Sequence, residues 1–351
     1  MAAIGNGYYS NRSDNSFVYG GSSTKEYPFR LGSTSVSLGL FNAAKGLYVG
    51  TSPIYHPEAI NWVNRAQANV GTISTETLGA VSAFCYAIDA ANLRDKFLRL
   101  NLFCGNDLGA CCTPLYRGPS FSSTQYGNSV DTNVGSFIND DYTETGSGGG
   151  LNGNGSDYLD TGLNTTTPFT DMGIVYNNIH NAVYLSNLAT TEGWMGGLIN
   201  GAVTGFEGNV YSGVTVFSGL VQDFLYNPGD TTAYGSFVQN TSYSNEGFVI
   251  CSFKSGVAAQ YSIQNNNRAN SSQETNPGSQ GDFGPTTFIY IMKGISHNAY
   301  FASENNGGVP HTTETTDTVA GYSLGTGFTL EEITAYNTIM NSFQSALGRS
   351  F

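Results

Sequence analysis

From Leu115 onward the hydrophobic pattern repeats almost everywhere with a period of two, and that period constrains the fold more than any other feature of the chain. Side chains on a strand alternate between two faces, whereas those on a helix recur every 3.6 residues. Val210, Val214 and Val216 alternate with Tyr211 and Phe217. Phe248-Val249-Ile250-Cys251-Ser252-Phe253 and Phe288-Ile289-Tyr290-Ile291-Met292 are apolar at nearly every position, as inner strands covered on both faces are. Turn clusters separate such runs: Asn227-Pro228-Gly229-Asp230, Asn265-Asn266-Asn267 and Asn305-Asn306-Gly307-Gly308. Many strands cut by turns favour a sandwich of antiparallel sheets over βαβ units.

Upstream the period changes. Pro57 suits a first helical position, Ile60, Val63, Ala66 and Val70 recur at helical spacing, and Gly71 stops the run. A second helix starts at the cap Ser74 and places Leu78, Val81, Cys85 and Ile88 on one stripe. Leu98, Leu100 and Leu102 then alternate as in a strand. Before Pro57 the chain is rich in Gly, Ser and Tyr, and short alternations such as Ser35-Val36-Ser37-Leu38 give no long apolar face. At the far end, Thr329-Leu330-Glu331-Glu332 is a capping box. Leu330, Ile333, Tyr336, Ile339, Met340, Phe343 and Leu347 follow at helical spacing, and Gly348 closes the helix. The expected division is an extended N-terminal arm over 1–55 that serves attachment, a helical adaptor over 56–114, and a β-sandwich with a C-terminal helix over 115–351.

Charge excludes several classes. Only 11% of residues are charged against about 25% in ordinary globular chains. The 22 Tyr and 21 Phe nevertheless supply enough apolar surface for a core. With net charge −13 and only 13 Lys and Arg in all, nucleic acid is not an expected partner. No apolar run approaches the roughly 18 residues that cross a bilayer, so membrane insertion is not expected. Met1 to Asn15 carry neither the basic nor the apolar region of a signal peptide, so synthesis in a cytoplasm is expected. Five cysteines, Cys85, Cys104, Cys111, Cys112 and Cys251, show no C-x-x-C spacing. A zinc site at Cys104, Cys111 and Cys112 is the sharper reading, and ordinary buried thiols the favoured one, because no paired His completes the set.

Leu115-Tyr116-Arg117-Gly118-Pro119-Ser120, Thr124-Gln125-Tyr126-Gly127-Asn128 and Asp131-Thr132-Asn133 resemble a stretch of phage and prophage proteins. The run from Gly150 through Ser156-Asp157-Tyr158-Leu159-Asp160-Thr161-Gly162-Leu163 resembles the opening strand of concanavalin-A-like, laminin-G-like domains. Gly325-Thr326-Gly327-Phe328-Thr329-Leu330-Glu331-Glu332, with its helix ending Leu347-Gly348-Arg349, resembles their C-terminal end. The resemblance implies a mainly β protein, an antiparallel jelly-roll β-sandwich used in adhesion or as a virion component. It identifies no ligand.

Sandwich glucanases of that fold carry their carboxylates on one strand as E-x-D-x-E, and the two acids of a glycosidase stand about 5–9.5 Å apart. No such spacing occurs here. Asp140-Asp141 and Asp157 with Asp160 read as solvated loop acids, and Glu331 and Glu332 as capping residues. Gly148-x-Gly150-x-x-Gly153 matches a phosphate-binding pattern but precedes a strand-like run, so it reads as a turn. There is no H-E-x-x-H, and the four histidines (His56, His180, His297, His311) are dispersed as surface groups would be. Calcium is the one cofactor for which the loops offer oxygens, from Asp131, Asn133, Asn139, Asp140 and Asp141. The plainer account is that such a loop satisfies its own backbone. Trp194, Tyr226 and Tyr234 are candidates for a sugar platform, with core or inter-subunit packing the favoured reading.

No catalytic, cofactor-binding or metal residue is therefore nominated. The expected function is a non-enzymatic structural component of a bacteriophage particle: a tail fibre, spike, baseplate or capsid-decoration subunit. It is expected in the virion, as a homo-oligomer contacting other virion proteins, with host surface glycan as a further partner. The alternative is a carbohydrate-binding adhesin or a glycan-cleaving protein acting on host polysaccharide.

Overall fold

The computed structural model describes in full residues 55–154, 157–163, 167–175, 178–187, 246–250 and 316–349, with Ser252, Lys254 and Ile291, and describes the backbone of the further strands named below. In chain order, β1 (Asn11–Arg12) and β2 (Asn15–Ser16) pair with each other. β3 (Tyr27–Leu31), β4 (Thr34–Leu38), β5 (Leu47–Val49) and β6 (Ser52–Ile54) form an antiparallel meander. Helices α1 (Pro57–Ala68) and α2 (Thr75–Ala90) lead to β7 (Phe97–Asn101) and the one-turn α3 (Leu108–Cys111). Then come β8 (Thr132–Val134), β9 (Tyr142–Thr143), β10 (Gly150–Asn152), β11 (Tyr158–Asn164), α4 (Thr167–Met172) and β12 (Ile179–Asn187). β13 (Glu192–Asn200), β14 (Tyr211–Phe217), β15 (Leu220–Tyr226) and β16 (Phe237–Gln239) follow. The chain continues through β17 (Gly247–Phe253), β18 (Tyr261–Gln264), β19 (Thr287–Ile291), β20 (Thr318–Gly325) and the terminal helix α5 (Leu330–Ala346).

The described chain is thus mainly strands in antiparallel sheets, with a few helices. One seven-stranded sheet runs β18-β17-β12-β20-β10-β9. Its seventh strand, β7, pairs with the second half of β20 (Tyr322 opposite Asn101), while β10 pairs with the first half (Leu151 opposite Val319). The other seven-stranded sheet runs β16-β15-β14-β13-β19-β11-β8. The apolar runs at 248–253 and 288–291 fall on β17 and β19, each paired with a strand on either side as inner strands are. Residues 1–55, read from sequence as an extended arm, contribute the two small ladders, and neither shares a strand with the large sheets. The three turn clusters of the sequence lie outside the described residues.

Alternation sorts the first sheet's side chains onto two faces. Ala182 and Tyr184 of β12, with Phe248 and Ile250 of β17, pack against Trp62, Phe84, Ile88, Tyr336 and Phe343 of the helices. Val183, Leu185 and Val249, one residue out of step, pack with Val319 and with Ile291 of β19. β12 and β17 lie against β13, β14 and β15 of the second sheet. The first sheet is therefore a middle layer, helices on one side and strands on the other. The stretches 56–114 and 115–351 share this core, since β7 completes the sheet and α2 lies on α5.

The helices obey their local chemistry. Pro57 opens α1, and Ser74 Oγ accepts from Thr77 N at the start of α2. Thr329 and Glu332 close a reciprocal capping box on α5, and Gly348, at φ 71°, ends the turn beyond it. Ile333, Tyr336, Met340, Phe343 and Leu347 are buried as their spacing predicts, each worth on the order of 1.5–3 kcal/mol in transfer from water. The α1 stripe is rotated from the expected one. Ala59, Trp62 and Ala66 face the core, while Ile60 is 39% and Val70 87% exposed. Trp62 sets that rotation: its bulk is buried, and its indole N–H donates to Thr113 O at 2.9 Å. The helix ends at Ala68, and Gly71 follows the stop, where a Cβ would lie 2.6 Å from Ala110 N. Val70 is left with the left-handed position of the stop, at φ 62°, which a β-branched residue adopts only at a cost.

Candidate functional site

The most connected polar site surrounds Arg99, which β7 places wholly inside the protein. Its Nε and Nη2 donate to Asp131 Oδ1 at 3.0 and 2.6 Å, and Nη1 and Nη2 donate to the carbonyls of Tyr126 and Asn128. Asp131 Oδ2 accepts from Asn101 Nδ2 at 2.8 Å and from the Tyr322 hydroxyl at 2.7 Å. Burial alone would lower the Arg99 pKa, but Asp131 and then Tyr322 outweigh it and hold the guanidinium above its ordinary value. Burial, then Asp131, pushes the Tyr322 hydroxyl up, so it remains a donor. The network ties β7, β20 and the 117–131 loop together, with every carboxylate lone pair facing a donor.

That accounts for the calcium candidates. Asp131 is consumed by Arg99, Asn101 and Tyr322. Asn133 donates to Phe137 O, Asn139 Oδ1 accepts from Leu108 N, and Asp141 Oδ2 accepts from Ile138 N, while Asp140 is exposed. Asp141 Oδ2 thus serves its own loop, as Asx chemistry does, while Asn139 Oδ1 and Asp131 serve other segments. The acids weighed for hydrolysis are engaged too. Asp157 is buried rather than solvated, because Oδ2 accepts from Ser136 N and Oγ and from Asn154 Nδ2. Asp160 Oδ1 accepts from Gly162 N, and Glu332 divides between its cap and Lys96. Gly148 and Gly150 lead into β10, not a helix, so the glycine pattern is a turn.

Two histidines differ from the surface role their dispersion implied. His180 is fully buried against the rings of Phe97 and Phe328. Its Nδ1 faces Thr326 O at 2.8 Å and its Nε2 faces Ser323 Oγ at 3.1 Å. A carbonyl only accepts, so Nδ1 carries the proton and Nε2 accepts from the serine. Burial brings the ring's pKa down to about 3, so it stays neutral. His56, at the N-cap of α1, donates from Nε2 to Asp89 Oδ2 at 3.0 Å and accepts at Nδ1 from Glu58 N at 3.2 Å. Beside it, Glu58 Oε1 receives Arg94 Nε at 2.6 Å, and the Arg94 guanidinium lies 3.9 Å above the Tyr116 ring. Cys85 completes this group, and sequence spacing missed it because 27 residues and a turn separate Cys85 from Glu58. The remaining two histidines, and the side chains of Trp194, Tyr226, Tyr234 and Cys251, lie outside the described residues. Cys85, Cys104, Cys111 and Cys112 are buried free thiols, and burial pushes Cys85, Cys104 and Cys111 up.

A second buried arginine, Arg349, lies just past α5. Its Nε donates to Glu144 O at 2.6 Å and its Nη2 to Phe103 O at 2.6 Å, while Nη1 reaches Gln344 Oε1 at 2.9 Å and Ala320 O at 3.3 Å. Four acceptors surround it and none is a carboxylate.

No protein-family model matches the chain, and no curated protein does. Among solved structures it is similar to a Trypanosoma rangeli sialidase in complex with sialic acid, at 12% identity and TM-score 0.36, over 72% of this chain and 33% of that one. A mutant of the same sialidase displaying trans-sialidase activity gives 11% and 0.34, over 83% and 39%. The chain spans well under half the length of these enzymes, and likeness at this level carries no argument about its activity. Among the described residues no helix is long and apolar enough to cross a membrane.

Proposed function

We propose that this chain is a structural subunit of a bacteriophage particle, a fibre, spike, baseplate or capsid-decoration protein without hydrolytic activity. Its two large sheets are taken as a concanavalin-A-like jelly roll, with residues 1–55 serving attachment to other virion proteins. The observation that carries this reading is where the scarce cations go. Arg65, Arg94, Lys96, Arg99, Arg117 and Arg349 each donate to a carbonyl or carboxylate of the same chain. Basic groups spent as internal ties leave the described exterior poor in cations, which suits contacts with other subunits more than anionic ligands. The test is immunogold labelling of purified particles, alongside mass measurement of the purified chain in rising salt. A labelled particle and an assembly that survives moderate salt support the proposal. A monomer absent from particles, or one that releases reducing ends from host polysaccharide, sinks it.

A further inference from the structure

At the start of α1, one imidazole nitrogen of His56, one carboxylate oxygen of Glu58 and Cys85 Sγ lie within 4.8 Å of one another. It is the one such three-donor group of His, Cys, Asp or Glu among the described residues. A second observation marks the same place. Glu58 Oε2 and Tyr116 Oη are buried and have no hydrogen-bond partner. Tyr116 is only 1% exposed, and its hydroxyl faces the Cys85 thiol and Glu58. An orphaned carboxylate oxygen such as Glu58 Oε2 costs about 1–3 kcal/mol, and a ligand that meets it removes that cost.

We propose that His56, Glu58 and Cys85 bind a divalent transition-metal ion of zinc's preference, with Tyr116 or a water at the remaining position. Mixed nitrogen, oxygen and sulfur donors select zinc or cobalt over calcium or magnesium. Tetrahedral bonds of about 2.0–2.3 Å put donors roughly 3.3–3.8 Å apart, so the three draw in by no more than about 1.5 Å. Nδ1 is the nitrogen that ligates, because Nε2 carries the proton given to Asp89, and the metal takes the Nδ1 lone pair in place of the 3.2 Å bond from Glu58 N. Nε2–H on Asp89 then supplies the carboxylate support that metal-bound histidines carry. Binding replaces the Cys85 thiol proton, released to water, with a sulfur–metal bond. Charge closes as well: Glu58, Asp89 and the Cys85 thiolate oppose Arg94 and the divalent ion, with no excess of either sign. The positive end of the α1 dipole opposes a cation, and the two carboxylates offset it.

The test uses cobalt(II) as the probe on the full chain, because thiolate ligation gives a sulfur-to-cobalt charge-transfer band in the near ultraviolet. One equivalent should produce the band and zinc should displace it. Cys85→Ala should abolish it and Cys111→Ala should leave it. Asp89→Asn, half exposed and so safe for folding, should keep the band but weaken cobalt binding about 10–100-fold. Absence of the band, its survival in Cys85→Ala, its loss in Cys111→Ala, or unchanged affinity in Asp89→Asn each overturns the proposal. Should Cys85→Ala fail to fold, Asp89→Asn decides alone.

Discussion

Arg99 and Arg349 are both buried within the same layered core, yet the protein balances them by different means. Arg99 meets a full countercharge in Asp131, itself braced by Asn101 and Tyr322. Arg349 belongs to none of the ion pairs among the described residues and is held by carbonyl and amide oxygens alone. The difference teaches that a buried cation needs acceptors in number and direction, and that a formal anion is one way among several to supply them. It also separates what each arginine puts at risk. Around Arg99 the danger is an unpaired charge, and around Arg349 it is a set of carbonyls left without donors.

The largest effect is expected at Asp131. Asp131→Asn leaves Arg99 buried without its countercharge and should cost about 3–5 kcal/mol in denaturant unfolding. Removing both charges, in Arg99→Met with Asp131→Leu, should cost less than that single change. A double variant no more stable than Asp131→Asn would show that charge is not what matters at this site. Next, Arg349→Met should cost about 2–3 kcal/mol through the oxygens it strands. Glu144 offers Arg349 its carbonyl, while its carboxylate serves Thr77 and Gly105. Glu144→Gln and Arg349→Met should therefore add to within about 0.5 kcal/mol. Strong coupling between them would show that the Glu144 carboxylate helps balance Arg349.

A neutral buried base sharpens the comparison from the other side. His180 takes its proton near 6.5 when unfolded and only near 3 when folded. Between those values the unfolded chain binds the extra proton. The ring's contribution is thus complete above pH 6.5 and is lost as pH falls toward 3, at up to about 1.4 kcal/mol per pH unit. Unfolding measured from pH 6.5 down to 4 should show that slope, and His180→Gln should flatten it. An unchanged slope would assign the acid sensitivity elsewhere. The smallest change is Tyr322→Phe, which removes one donor to Asp131 and leaves Asn101 in place. It should cost about 1 kcal/mol, read as a shifted unfolding midpoint. A cost near that of Asp131→Asn would make the tyrosine a full partner of the ion pair.

Much of the fold could be read from the chain because local chemistry and tertiary role agree there. The capping box at Thr329, the stripe from Ile333 to Leu347 and the apolar residues Phe248, Val249 and Ile250 of β17 carry their burial in their own spacing. The α1 stripe misled because periodicity counts apolar residues equally, while packing is set by the largest, Trp62. The polar sites were not legible for a related reason. Arg99 lies in an alternation of leucines, where a charge reads as an outward-facing residue, and its partner Asp131 is 32 residues away in a loop. Asp157 and His180 were read as solvated because polar type is a guide to exposure only where no partner waits inside. The sequence contains those partners but does not say which will meet.

The closure between Arg349 and Phe103 spans 246 residues, and that between Lys96 and Glu332 spans 236. Translation runs in one direction, so α1, α2 and β7 leave the ribosome long before β20 and α5 exist. At about 5–20 residues per second the wait across those 236 residues is roughly 12–47 s. Until its end, Phe84 lacks its partner Phe343 on α5, and the sheet under the helices lacks β20, the strand that joins β12 to β7 and β10. A nascent chain in that condition is a natural client for a chaperone, and its yield on overproduction should depend on holdase supply more than on the stability of the finished molecule.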